Sequence, residues 1–206
     1  MHALERFQKR LGEPLRTRAR FALVLLVLPL GLSFTAPLWV MHMQAPQYPS
    51  GLRLEILAYT VRGDVSEVNT LNHYIGMAPI DRTALSDLDW IPFAVGALAL
   101  LALRVAAIGD RRSLIDLLVL FAYFSAFSMA RFAYKLYVFG HDLDAQAPFE
   151  VEPFTPAILG SKEIANFTVT SLPGMGTFWL ALFGTGLLAI TLLSLRRAAR
   201  QADLAT

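Results

Sequence analysis

The residues best equipped for chemistry lie in the stretch Asn69–Met77, NTLNHYIGM. It sets His73 four residues before Met77 and surrounds them with Asn69, Asn72 and Tyr74. A second cluster, Met41-His42-Met43, lies earlier in the chain, and His141 and Met175 lie later. Imidazole and thioether together form a donor set suited to Cu(I), a soft ion content with few ligands and irregular geometry. His73 and Met77 are the preferred ligands, with His42, Met43 and His141 as further candidates and Met175 a thioether at the same level. Asn69, Asn72 and Tyr74 would orient them by hydrogen bonds from outside the ligand set. The plainer reading stands beside this one: methionine commonly fills gaps in apolar packing. The same residues would then form a buried hydrogen-bonded knot without metal.

A second group is Arg131 and Lys135, one helical turn apart, with Tyr134 between them and Tyr137 beyond. Charges in an apolar segment are costly unless they pair or reach the interface. They would either clamp an anion, a lipid head group or a quinone carbonyl, or pair with Asp142, Asp144, Glu150 or Glu152. The ion-pair reading is favoured because those acids follow so closely.

No catalytic pattern accompanies these residues. No glutamate sits between paired histidines at helical spacing, and nucleophile elbow, phosphate loop and dinucleotide fingerprint are all absent. The chain has no cysteine, which excludes thiolate metal sites, cysteine nucleophiles and disulfides. A non-enzymatic role follows.

The elements that must position these residues are apolar. Hydrophobic residues make up 55 % of the chain and gather in four blocks, 21–41, 91–108, 114–139 and 177–195. Each block holds about 18–26 residues, enough to cross a bilayer core as a helix. The first exceeds a signal-peptide core, and Pro37 directly follows the small residues Thr35-Ala36, so it reads as an uncleaved anchor. None of the four contains a histidine inside its long apolar run, so no haem is predicted. The paired glycines of Gly184-Thr185-Gly186 read as close helix packing. The predicted fold is therefore a mainly α membrane protein with four transmembrane helices.

Arginine and lysine set the orientation. They cluster before the first block (Arg6, Lys9, Arg10, Arg16, Arg18, Arg20), between the second and third (Arg104, Arg111, Arg112) and after the fourth (Arg196, Arg197, Arg200). The positive-inside rule then places both termini in the cytoplasm of a bacterial inner membrane. The small net charge of +2 and its distribution point to contact with anionic membrane lipids, not nucleic acid.

The outer connections, 42–90 and 140–176, are built of structured sequence. Leu52–Val61 alternates as a strand does. Asp64 and Glu67 form an approximate capping box for a short helix, which Gly76 and Pro79 should end near Gly76. The second connection is rich in proline and acid, yet Phe149, Val151, Phe154, Ile158, Leu159, Ile164 and Phe167 suit it to cover the first. The two are expected to form a small mixed α/β extracytoplasmic cap on a single membrane domain, 1–206.

The segments APQYPSGLRLEI, GDVSEVNTLNHYIGM and GHDLDAQAPFEVEPFTPAILGSKEIANF together resemble a bacterial four-helix membrane-protein family associated with gene neighbourhoods for nitrous-oxide reductase maturation and copper proteins. The resemblance spans about half the chain, and Ala145 stands where proline would follow the aspartate. It implies an inner-membrane accessory protein in periplasm-facing copper handling or copper-enzyme maturation, with copper as cofactor and a periplasmic copper protein as partner. The alternative is a structural or docking subunit of a respiratory or oxidase-type membrane complex, without a metal of its own.

Overall fold

The computed structural model describes residues 11–164 and 167–203, so Arg6, Lys9 and Arg10 lie outside the described residues. Its architecture corrects the four-helix expectation. The block 21–41 does not form one spanning helix. It gives two short helices, α1 (Thr17–Leu25) and α2 (Val27–Leu32), and its last residues enter a strand. Pro29 explains the interruption. It has no N–H to donate to the carbonyl four residues back, and its ring crowds that carbonyl, so an unbroken helix through Leu25 and Leu26 is disfavoured.

The other three blocks behave as their hydropathy suggests. The helices α5 (Trp90–Ile108), α6 (Arg111–His141) and α7 (Met175–Asp203) follow two shorter ones, α3 (Val65–Tyr74) and α4 (Arg82–Leu85). Three helical stretches, Thr83–Ile108, Arg111–His141 and Met175–Arg197, are long and apolar enough to cross a membrane. They carry exposed large apolar side chains, including Phe93, Leu100, Phe127 and Leu193.

The chain divides into two compact units. One gathers residues 11–32, 93–125 and 179–203. Here the segment before α1 is fastened to the α5–α6 turn. Pro14 bridges Asp110, the Leu15 N–H donates to the Gly109 carbonyl, and Arg111 pairs with Glu13 at 2.5 Å. Arg20 donates to the carbonyls of Ala106 and Ala107, both at 2.6 Å, satisfying groups that the end of α5 would leave open. Asp110 begins α6 by accepting from the Ser113 N–H at 2.7 Å. Within the same unit Phe121 and Phe183 meet edge to face at 5.1 Å. A Cβ on Gly184 would lie 2.3 Å from the Phe121 ring, so the glycine reading of close helix packing agrees with the geometry.

The other unit gathers residues 33–92 and 126–178, and it holds a five-stranded antiparallel sheet in the order β3-β2-β1-β5-β4. The strands are β1 (Trp39–Ala45), β2 (Tyr48–Ile56), β3 (Val61–Gly63), β4 (Gly160–Ile164) and β5 (Phe167–Pro173). The sheet is a core domain, not the small cap expected. In β1 the side chains of Trp39, Met41 and Ala45 are buried, whereas His42 and Gln44 are exposed. This period of two is that of a strand with one covered face. The core joins Trp39, Met41, Leu52, Leu54, Val68 and Val169, with Val65, Leu71, Phe132 and Leu136 packed against it. Trp39 also donates its indole N–H to the Ser171 hydroxyl at 2.7 Å, with both residues buried.

Two local expectations also change. The strand read over Leu52–Val61 begins earlier and stops at Ile56, where Leu57 and Thr60 close a turn into β3. Asp64 does precede α3, but its carboxylate makes no helix cap. It accepts instead from the Arg53 N–H at 2.7 Å and so prolongs the pairing of β2.

Ser171→Ala leaves the buried indole N–H without its acceptor and should cost about 1–3 kcal/mol of stability in denaturant unfolding. Trp39→Phe combined with Ser171→Ala should cost less than the sum of the two single changes. Asp110 supplies a pH test. Its carboxyl is held below the ordinary value by the Ser113 hydroxyl and N–H and by Arg104 and Arg112, against a smaller opposing effect of burial. That stabilisation is present above the unfolded-state value and is lost as pH falls through the lower folded-state value. Asp110→Asn should therefore flatten the fall in melting temperature below about pH 4.

Candidate functional site

The strand geometry separates residues that are adjacent in sequence. His42 and Met43 are consecutive on β1 and so point to opposite faces of the sheet. Met43 packs against the core, whereas His42 is exposed on the open face. Register sets His42 between Arg53 on β2 and Thr170 on β5, with Ser161 on β4 next in the row. Arg53 pairs with Glu55 at 2.6 Å along its own strand, and the hydroxyls of Ser161 and Thr170 lie 2.8 Å apart. Val40 and Leu172 form the neighbouring row, with Leu172 47 % exposed. This open face is the built surface that sequence reading missed. Its signal was the alternation in Trp39–Ala45 and Phe167–Leu172, hidden respectively by a hydropathy block and a proline-rich segment.

The stretch Asn69–Met77 is a helix end with two amide staples. The helix α3 stops at Tyr74, so Asn69, His73 and Met77 do not share one continuous helix face. Gly76 takes a left-handed φ of 76°. The Gly76 N–H reaches the His73 carbonyl at 3.4 Å, and the Met77 N–H reaches that of Asn72 at 2.9 Å. Those paired bonds satisfy carbonyls that a helix end leaves open. Glycine is required twice over, because a Cβ there would also lie 2.7 Å from the Asp144 carbonyl oxygen.

Beyond that turn the asparagines hold the returning chain. Asn69 accepts from the Ile80 N–H at 2.7 Å and donates to the Ile80 carbonyl at 3.3 Å. Asn72, buried, donates to the Ala78 carbonyl at 3.3 Å. Their amides serve backbone, not His73. Tyr74 and Gly76 carry the second connection: the Phe149 N–H donates to the Tyr74 carbonyl at 3.0 Å, and the Asp144 N–H to the Gly76 carbonyl at 2.8 Å. His73 itself is exposed, with the Tyr74 ring 6.3 Å away.

His141 ends α6, stacked on Tyr137 at 3.8 Å, with its Nδ1 2.9 Å from the Tyr137 carbonyl oxygen. Met175 begins α7 and is 56 % exposed. Arg131 lies 5.8 Å from the centre of the Tyr134 ring, and the Lys135 ammonium 5.5 Å from that of Phe139. Such contacts shield a cation by the negative ring face. Asp144 turns its carboxylate into its own loop, accepting from the Gln146 N–H at 2.9 Å, while Asp142, Glu150 and Glu152 are exposed.

Among the described residues, no group of three or more His, Cys, Asp or Glu side chains could hold a metal ion. His42 and Met43 diverge, Asn69 and Asn72 are committed to backbone, and Met77 follows the turn that ends α3. No family model matches the chain, and no curated protein matches it.

Asn69→Ala removes both bonds to Ile80 and should destabilise the protein by about 1–3 kcal/mol. Hydrogen exchange should show the loss first at residues 77–81. Gly76→Ala should cost at least about 1 kcal/mol and loosen residues 144–149 as well.

Proposed function

We propose that the protein is a non-enzymatic accessory subunit held in a bacterial cytoplasmic membrane by its three long apolar helices, docking a protein partner on its sheet. One observation carries this reading: the two faces of the sheet are built differently. One is filled by α3, Phe132 and Leu136, and the other presents His42, Arg53, Thr170 and Ser161 beside Val40 and Leu172. A polar surface with a short apolar row suits reversible contact with another folded protein. The arginines at the ends of the apolar helices favour a cytoplasmic position for the α5–α6 turn and the end of α7. By connectivity through α6, segment 142–174 then faces the periplasm, and with it the sheet to which β4 and β5 belong.

Copper handling is the second reading, supported by the exposed imidazoles of His42 and His73 and by the family resemblance. Metal analysis of the intact protein distinguishes it. About one copper per chain, lost in His42→Ala or His73→Ala, would favour copper handling over a purely docking role.

For docking, a photocrosslinker placed at His42 or Thr170 should join the chain to one discrete partner in native membranes. The same group at Glu67, exposed on α3, should not. Thr170→Arg should release the chain from its large assembly on native gels by about tenfold or more, the scale of a clash at an interface centre. Unchanged migration, with no crosslink from either position, would sink the docking reading.

A further inference from the structure

In the unit that contains α1, the structure places three arginines around one space. Arg16, Arg18 and Arg197 line an open cavity of about 520 Å³, together with Leu15 and Thr17. Arg16 and Arg18 belong to the start of α1 and Arg197 to the end region of α7, so Arg18 and Arg197 stand 179 positions apart in the chain. Among the described residues, no carboxylate lines it. Like charges gathered in this way repel, and a bound anion relieves that repulsion.

The local backbone strengthens the preference. The position before α1 is Arg16, which makes no side-chain cap, and the first turn of α1 contains no acidic residue. The partial positive charge of the helix start therefore adds to that of the arginines. Arginine forks match phosphate oxygens in pairs.

Away from the cavity, the surfaces of both helices are apolar and uncovered. Phe21, Val24, Leu25 and Leu28 are exposed on α1 and the residue run after it, as are Leu188 and Leu192 on α7. A ligand combining a phosphate with hydrocarbon chains would use both the arginines and these side chains, whereas a free phosphate would use only the arginines.

We propose that this cavity binds the phosphate of an anionic phospholipid, whose acyl chains lie along the exposed apolar side chains of α1 and α7. The assignment rests on the membrane reading but not on the docking partner.

The test uses the full chain, purified in a neutral detergent and stripped of lipid. Native mass spectrometry would compare phosphatidylglycerol, phosphatidylcholine and inorganic phosphate. The parent should prefer phosphatidylglycerol to phosphatidylcholine and hold inorganic phosphate only weakly. Arg16→Gln with Arg18→Gln and Arg197→Gln should weaken phosphatidylglycerol binding by about tenfold to a hundredfold, given the usual attraction of a basic residue to anionic lipid. Arg62→Gln, on the sheet-bearing unit, should leave it unchanged. If the triple variant misfolds by circular dichroism, Arg197→Gln alone should still weaken binding by about fivefold. Undiminished lipid binding in the folded variants would overturn the site, and equal binding of inorganic phosphate would overturn the lipid assignment. Alkaline washing of native membranes separates the two premises. A chain that stays in the membrane yet shows no lipid preference sinks only the cavity proposal, whereas a chain released by the wash sinks the membrane reading.

Discussion

Strand β1 must be paired on both sides, and the sheet-bearing unit depends on that requirement. Its seven residues bond to β2 along one edge and β5 along the other, and its inward side chains supply much of the core. Trp39 concentrates this role. Its ring meets Phe132 at 5.1 Å, while its N–H is satisfied by Ser171. A large aromatic surface and a buried polar group are accommodated in one place, which is possible only when β5 stands in register. The Leu38 carbonyl supports the same register from outside the strand, accepting from the Gly174 N–H and the Thr177 hydroxyl.

The division between covered and open faces follows from this pairing. Residues that share a face do so by alternation, not by adjacency, and the clearest case is His42 beside Met43. The sequence presents them as neighbouring soft donors. The pleat assigns Met43 to hydrophobic packing and His42 to a polar row with Arg53 and Thr170. Similarly, the cluster around His73 is polar because a helix end and a returning stretch of chain need amide partners, with the imidazole left at the surface.

Hydropathy made the three long helices legible, because an average over many residues survives local detail. The same averaging concealed β1. Trp39, Val40 and Met41 extended the first apolar block, although Pro29 had already interrupted its helix and His42 and Gln44 marked a strand. The end of α3 was legible from Gly76, whose left-handed backbone is a local property. The jobs of Asn69 and Asn72 were not, since their acceptors and donors lie beyond the turn at Ala78 and Ile80. Still less visible was Ser171, brought to Trp39 across 132 positions, or the cavity that Arg18 and Arg197 both line. Composition can state that such groups exist, but only the fold decides which of them meet.

The strand order has a consequence for biogenesis. β2 follows β1 within a few residues, so one edge of β1 can close while the chain is still short. The other edge must wait for β5, after the whole of α6 and the proline-rich connection have been made. At ordinary synthesis rates of about 5–20 residues per second, that delay is on the order of ten seconds. Throughout it, β1 offers an unpaired row of backbone groups beside exposed Trp39 and Met41, a template for pairing with the wrong chain. The nascent protein is therefore most vulnerable late in translation, when a holding chaperone would matter most.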